Sequence, residues 1–118
     1  MAIAQEYNFP NHTKGDTFKG TSFTILVNTV ALNITGATIE MQLKLEKKAG
    51  ATAVKTFTTA DSSIIITDGP AGKFQIASQI INIPAKQYYY DIEITLLSGV
   101  KETYISGKWQ ILQDVTNG

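Results

Sequence analysis

The sequence predicts an all-β fold, a two-layer antiparallel β-sandwich of immunoglobulin-like architecture without a disulfide. Three observations lead there. Apolar side chains recur at every second position in several stretches, the mark of strands with one buried face. Turn residues divide the chain into short runs at nearly regular spacing, with no long helical pattern between them. The chain contains no cysteine. Its 118 residues make one domain, residues 1–118, able to bury roughly two-thirds of the unfolded surface without covalent staples.

In chain order, Tyr7 and Phe9 precede Pro10 and read either as a first strand closing the core or as exposed anchors; Phe9 is assigned to the core. Phe23, Ile25 and Val27 alternate with Thr24 and Leu26 as one strand. Ile39, Met41, Leu43 and Leu45 alternate with Glu40, Gln42, Lys44 and Glu46. The second stretch is rich in good helix formers, but strict alternation decides it for strand. Runs of β-branched and aromatic residues follow at Val54–Phe57, Ser63–Ile66, Lys73–Ala77, Tyr88–Leu97 and Val100–Leu112. Turns are expected at Asn33-Ile34-Thr35-Gly36, Ala49-Gly50, Ala60-Asp61-Ser62, Asp68-Gly69-Pro70 and Ser98-Gly99.

The last two runs allow a register to be derived. If Ser98-Gly99 is a two-residue hairpin loop, Ile92 faces Ile105, Tyr90 faces Gly107 and Tyr88 faces Trp109. The other face then pairs Glu93 with Tyr104, Asp91 with Ser106 and Tyr89 with Lys108. One face is apolar and the other mostly polar, which a slip of one residue would scramble. Tyr90 would cover the backbone that Gly107 leaves bare, and Trp109 becomes a core anchor.

Composition restricts the chemistry. Ten basic residues balance ten acidic ones, so no basic excess points to nucleic acid. No stretch reaches the roughly 18–20 apolar residues of a membrane-spanning helix. Met1-Ala2-Ile3-Ala4-Gln5-Glu6 lacks the basic and apolar regions of a signal peptide. The single histidine, His12, is read as a surface-loop residue, since a catalytic zinc normally needs three protein ligands. Asp91 and Glu93 share a strand face at a spacing a glycosidase could use, but read as charges on a solvated face. Asp16, Asp61 and Asp68 form no calcium-loop string and read as turn residues. Asn11-His12-Thr13 and Asn33-Ile34-Thr35 match glycosylation sequons that carry little weight without a signal peptide. No cofactor is expected, and the chain is read as not an enzyme. Tyr7, Tyr89 and Tyr104 remain as candidate interface residues.

One succession of segments carries a resemblance: Tyr7-Asn8-Phe9-Pro10, Lys14-Gly15-Asp16-Thr17-Phe18, Leu32-Asn33-Ile34-Thr35-Gly36-Ala37-Thr38-Ile39, Gly72-Lys73-Phe74-Gln75-Ile76, Tyr90-Asp91-Ile92-Glu93, Thr103, Gly107 and Asp114-Val115-Thr116. In order and spacing it resembles small β-sandwich proteins of tailed bacteriophages and prophages, and is similar to the N-terminal domain of the phage upper baseplate protein family. The chain departs from that pattern at Lys86-Gln87, where the family tends to have a glycine before Tyr88. The resemblance implies a non-enzymatic tail or baseplate structural or assembly protein, part of the virion and assembled in the host bacterial cytoplasm. Its partners would be other tail or baseplate subunits and copies of itself, as a trimer or hexamer; on composition, no nucleic acid and no membrane is expected as a partner. The alternative is a carbohydrate-binding or adhesin-like module with Tyr89 and Tyr104 as a stacking platform.

Overall fold

A computed structural model describes residues 5–48 and 50–114. The signal-peptide reading of Met1–Ala4, the Ala49 half of one expected turn, and Val115-Thr116 lie outside the described residues. In chain order the strands are β1 (Gln5–Glu6), β2 (His12–Thr13), β3 (Thr17–Phe18), β4 (Thr21–Thr24), β5 (Leu26–Val27), β6 (Val30–Ala31) and β7 (Thr38–Lys44). They continue as β8 (Ala53–Thr58), β9 (Ile64–Asp68), β10 (Lys73–Ile76), β11 (Gln79–Ile80), β12 (Gln87–Thr95) and β13 (Lys101–Leu112). A 3-10 turn spans Thr59–Asp61. The fold is all-β, as the alternation requires.

The largest sheet has the order β1-β13-β12-β7-β8, with β2 also paired to β13. A three-stranded sheet runs β4-β10-β9, and β11–β3 and β5–β6 form two-stranded ribbons. The ladders are antiparallel except at one edge, where β1 and β2 run parallel to β13. The all-antiparallel expectation is corrected there. The first described residues travel beside the last strand in the same direction, and the rest of the domain serves as the long crossover that parallel pairing needs.

Apolar residues of both sheets meet in one core cluster, including Met41, Tyr88, Ile92 and Trp109 from the large sheet and Ile64, Phe74 and Ile76 from the small one. Strand β7 shows why alternation outweighed helix propensity: Ile39, Met41 and Leu43 are fully buried while Glu40, Gln42 and Lys44 face outward. Leu45 departs from the expectation. The strand ends at Lys44, and Leu45 is left 45% exposed. The run Phe23–Val27 is not one strand; it breaks at Ile25 into β4 and the β5–β6 ribbon. Near the start of β12 the Tyr88 hydroxyl donates to the Pro84 carbonyl at 2.6 Å, tying that strand to the loop before it.

The β12–β13 register matches the sequence reading from Tyr88↔Trp109 to Ile92↔Ile105. The loop does not. Leu96 N–H donates to the Val100 carbonyl at 2.7 Å and Gly99 N–H to the Leu96 carbonyl at 2.8 Å, closing a three-residue loop, Leu97-Ser98-Gly99. Gly99 takes φ +96°, the left-handed residue that such loops require. That loop offsets the ladder by one residue, and a β-bulge restores it: Ile92 faces Ile105 but Glu93 faces Thr103. Tyr104 is the extra residue. A bulge turns its side chain out of strict alternation, so Tyr104 is buried beside Ile105 instead of facing Glu93 on the polar side.

Candidate functional site

The parallel edge is held by a clasp around Tyr7. Its N–H donates to the Ser106 carbonyl at 2.9 Å and that of Phe9 to Lys108 at 3.0 Å. Lys108 N–H returns a 3.0 Å bond to the Asn8 side chain. The Tyr90 hydroxyl donates to the Tyr7 carbonyl. All this passes directly over Gly107, where a Cβ would lie against the Tyr7 carbonyl oxygen and 2.7 Å from its carbon. The N-terminal segment therefore covers Gly107, and Tyr90 reaches past it; Tyr90 alone is not the cover. Phe9 then stacks on Trp109, with centroids 4.4 Å apart, and is 5% exposed, the core role expected of it.

Beyond the clasp a groove of about 590 Å³ opens between the sheets. Glu6, Tyr7 and Tyr104 line one wall and Phe23, Leu26 and Val27 the other. Edge-to-face contact of Tyr7 with Phe23, centroids 5.4 Å apart, bridges the two walls. Among the described residues β1 pairs only with β13 and β4 only with β10, so each carries an unpaired edge at this seam. Leu26 is 58% exposed. Apolar side chains beside free backbone donors and acceptors suit the groove to an extended peptide segment.

Of the three candidate interface residues, Tyr7 and Tyr104 thus come together and Tyr89 does not. Tyr89 faces a shallower cleft of about 220 Å³ with Lys44, Lys47, Lys48 and Asp91. The Tyr89–Tyr104 stacking platform is not formed, because the bulge turns Tyr104 inward. In that cleft desolvation pushes the Asp91 carboxyl above its ordinary value, Lys44 opposes the shift and Glu93 adds to it. Asp91 and Glu93 lie on the outer sheet face, and Glu93 reaches Lys101 at 3.5 Å.

His12 is not a loop residue. It sits half-buried in β2, edge-on to Phe18 and Trp109, and its Nε2 lies 2.9 Å from the Asp16 carbonyl. A carbonyl only accepts, so Nε2 is the protonated nitrogen in that contact. Asp61 accepts from both Ser63 N–H and Ser63 hydroxyl, and Asp68 from Ala71 N–H at 3.3 Å, each in its own turn. Hydrogen bonds from Ser63 hold the Asp61 carboxyl below its ordinary value. Among the described residues no three His, Asp or Glu side chains are grouped to hold a metal.

The sequence did contain two signs of the clasp, the glycine opposite Tyr90 and the aromatic pair Tyr7 and Phe9. Nothing in its periodicity marked the groove, whose walls are a strand break at Ile25 and a bulge at Tyr104. Compared with known proteins, the chain matches no family model and no curated sequence.

Proposed function

We propose that this chain is a non-enzymatic structural or assembly subunit of a bacteriophage tail or baseplate, docking on neighbouring subunits through the seam groove. The phage assignment rests on the ordered segments from Tyr7-Asn8-Phe9-Pro10 to Gly107. The docking role rests on one observation: a groove of mixed polar and apolar lining, with Tyr7, Phe23 and Leu26 on its walls, flanked by the unpaired edges of β1 and β4. The partner supplies a strand-forming segment, and rings of three or six copies in the virion are the assembly this reading expects.

The reading takes the two sheets as an immunoglobulin-like sandwich. Strand order supports it: β4-β10-β9 has the sequence relations of strands B, E and D, and β13-β12-β7 those of G, F and C, with β8 added at the edge. The Tyr88–Pro84 bond near the start of β12 has the position of the tyrosine corner found in such domains. Architecture alone would not assign a function.

The test is reconstitution with the tail proteins encoded beside this chain's gene, followed by light scattering. A stoichiometric complex is expected, with affinity falling at least about tenfold (about 1.4 kcal/mol) in Leu26→Glu, a surface change that spares folding. Failure to bind any of those subunits, or binding indifferent to Leu26→Glu, contradicts the proposal. Glycan retention that is abolished by Tyr89→Ala would favour the carbohydrate-binding reading instead.

A further inference from the structure

We infer that β9 is a self-pairing edge through which two copies of this chain join their three-stranded sheets into one continuous sheet. In the order β4-β10-β9, this edge lies on the far side of the small sheet from β4 and the groove, so the inference stands apart from the docking reading above.

Exposed strand edges are normally blunted by charge, proline or brevity. Strand β8 carries Lys55, and β1 is two residues long with Glu6. Strand β9 reads Ile64-Ile65-Ile66-Thr67, with no charge before Asp68 and no proline. Ile65 points away from the core and is 40% exposed.

The hydrogen-bonding phase of the edge suits a two-fold partner. The Ser63 carbonyl accepts from Ala77 N–H at 2.8 Å, so Ser63 faces inward along the sheet, toward the chain that follows β10. By strand alternation the backbone groups of Ile65 face β10 as well, and those of Ile64 and Ile66 face outward. Two antiparallel copies centred on Ile65 would exchange bonds between Ile64 of one and Ile66 of the other, twice. Each isoleucine then meets an isoleucine, and Asp68 lies beyond the bulge that follows Ile66, outside this pairing, so no like charges oppose within it. Centring on Ile66 instead would carry the pairing into that bulge and bring Asp68 toward Ile64, whose side chain is 1% exposed in the core. The uncharged, self-complementary register therefore selects a second copy as the occupant.

The chain has no cysteine, which permits a register-specific test. Opposed side chains at a non-hydrogen-bonded antiparallel position have Cβ atoms roughly 4.5–5.5 Å apart, close to disulfide reach. Ile65→Cys should cross-link rapidly under mild oxidation. Thr67→Cys, displaced from the axis, and Leu97→Cys, at a site 80% exposed, should lag at least about tenfold. Light scattering should give the wild type twice the 12.9 kDa chain mass, and Ile65→Lys should return the single-chain mass. A wild-type monomer at every concentration, or Ile65→Cys linking no faster than Leu97→Cys, overturns the inference.

Discussion

A methyl group at Gly107 would occupy the space held by the Tyr7 carbonyl, and the obstacle is backbone, which cannot rotate aside as a flexible side chain can. Gly107→Ala is expected to cost about 1–3 kcal/mol, the range for overpacking a fitted site. Urea denaturation measures that loss, and faster exchange of the Tyr7 and Phe9 amides would place it at the clasp. Tyr90 contributes in a second way. Burial, with smaller additions from Tyr7 and Glu6, holds its hydroxyl protonated well above the ordinary tyrosine range. A folded value above the unfolded one, about 10, gives stability that is complete below pH 10 and lost as pH rises through the folded value. Tyr90→Phe should therefore be about 1 kcal/mol less stable at pH 7, through the lost hydrogen bond, while declining less steeply in alkali. Some decline remains, because burial also raises Tyr88 and Tyr104. Parallel stability–pH curves for the variant and wild type would contradict this account of Tyr90.

The β5–β6 ribbon turns on Asn28 and Thr29, both at positive φ, 52° and 66°. Two-residue hairpins accept such residues as Asn-Gly, but a β-branched threonine is strained there. Thr29→Gly should stabilise the chain by about 1 kcal/mol, seen as a higher thermal midpoint; an unchanged or lower midpoint would show that Thr29 is not strained. This ribbon was illegible beforehand because Asn-Thr is not a hairpin dipeptide and Phe23–Val27 reads as an unbroken alternation. Strands β7 and β12 were legible because their inward residues alternate without interruption, and β13 because its alternation holds from Ile105 to Ile111. Their register came out correctly near Trp109 because two hidden features cancel: the three-residue loop shifts the ladder by one, and the Tyr104 bulge shifts it back. Polarity alternation reports the sum of such shifts, so the pairs from Tyr88 to Ile92 survive while Glu93 and Tyr104, lying between the two shifts, are misplaced.

At the scale of the whole molecule, the all-β class was written in the alternation, and the seam was not. Parallel pairing of β1 and β2 with β13 joins residues roughly one hundred positions apart, a contact that no local pattern encodes. Its signal was limited to a glycine at 107 and an aromatic pair, Tyr7 and Phe9, near the start. The groove exists because that clasp sets one free strand edge beside another, and the proposed function depends on what fills it. Hydrogen–deuterium exchange of the chain alone and after assembly with the proposed tail subunits tests that most directly. The account predicts that assembly protects amides in Thr21–Val27 and Gln5–Tyr7 while the outer face of β7 and β12 is unchanged; exchange in those two segments that is the same before and after assembly would contradict it.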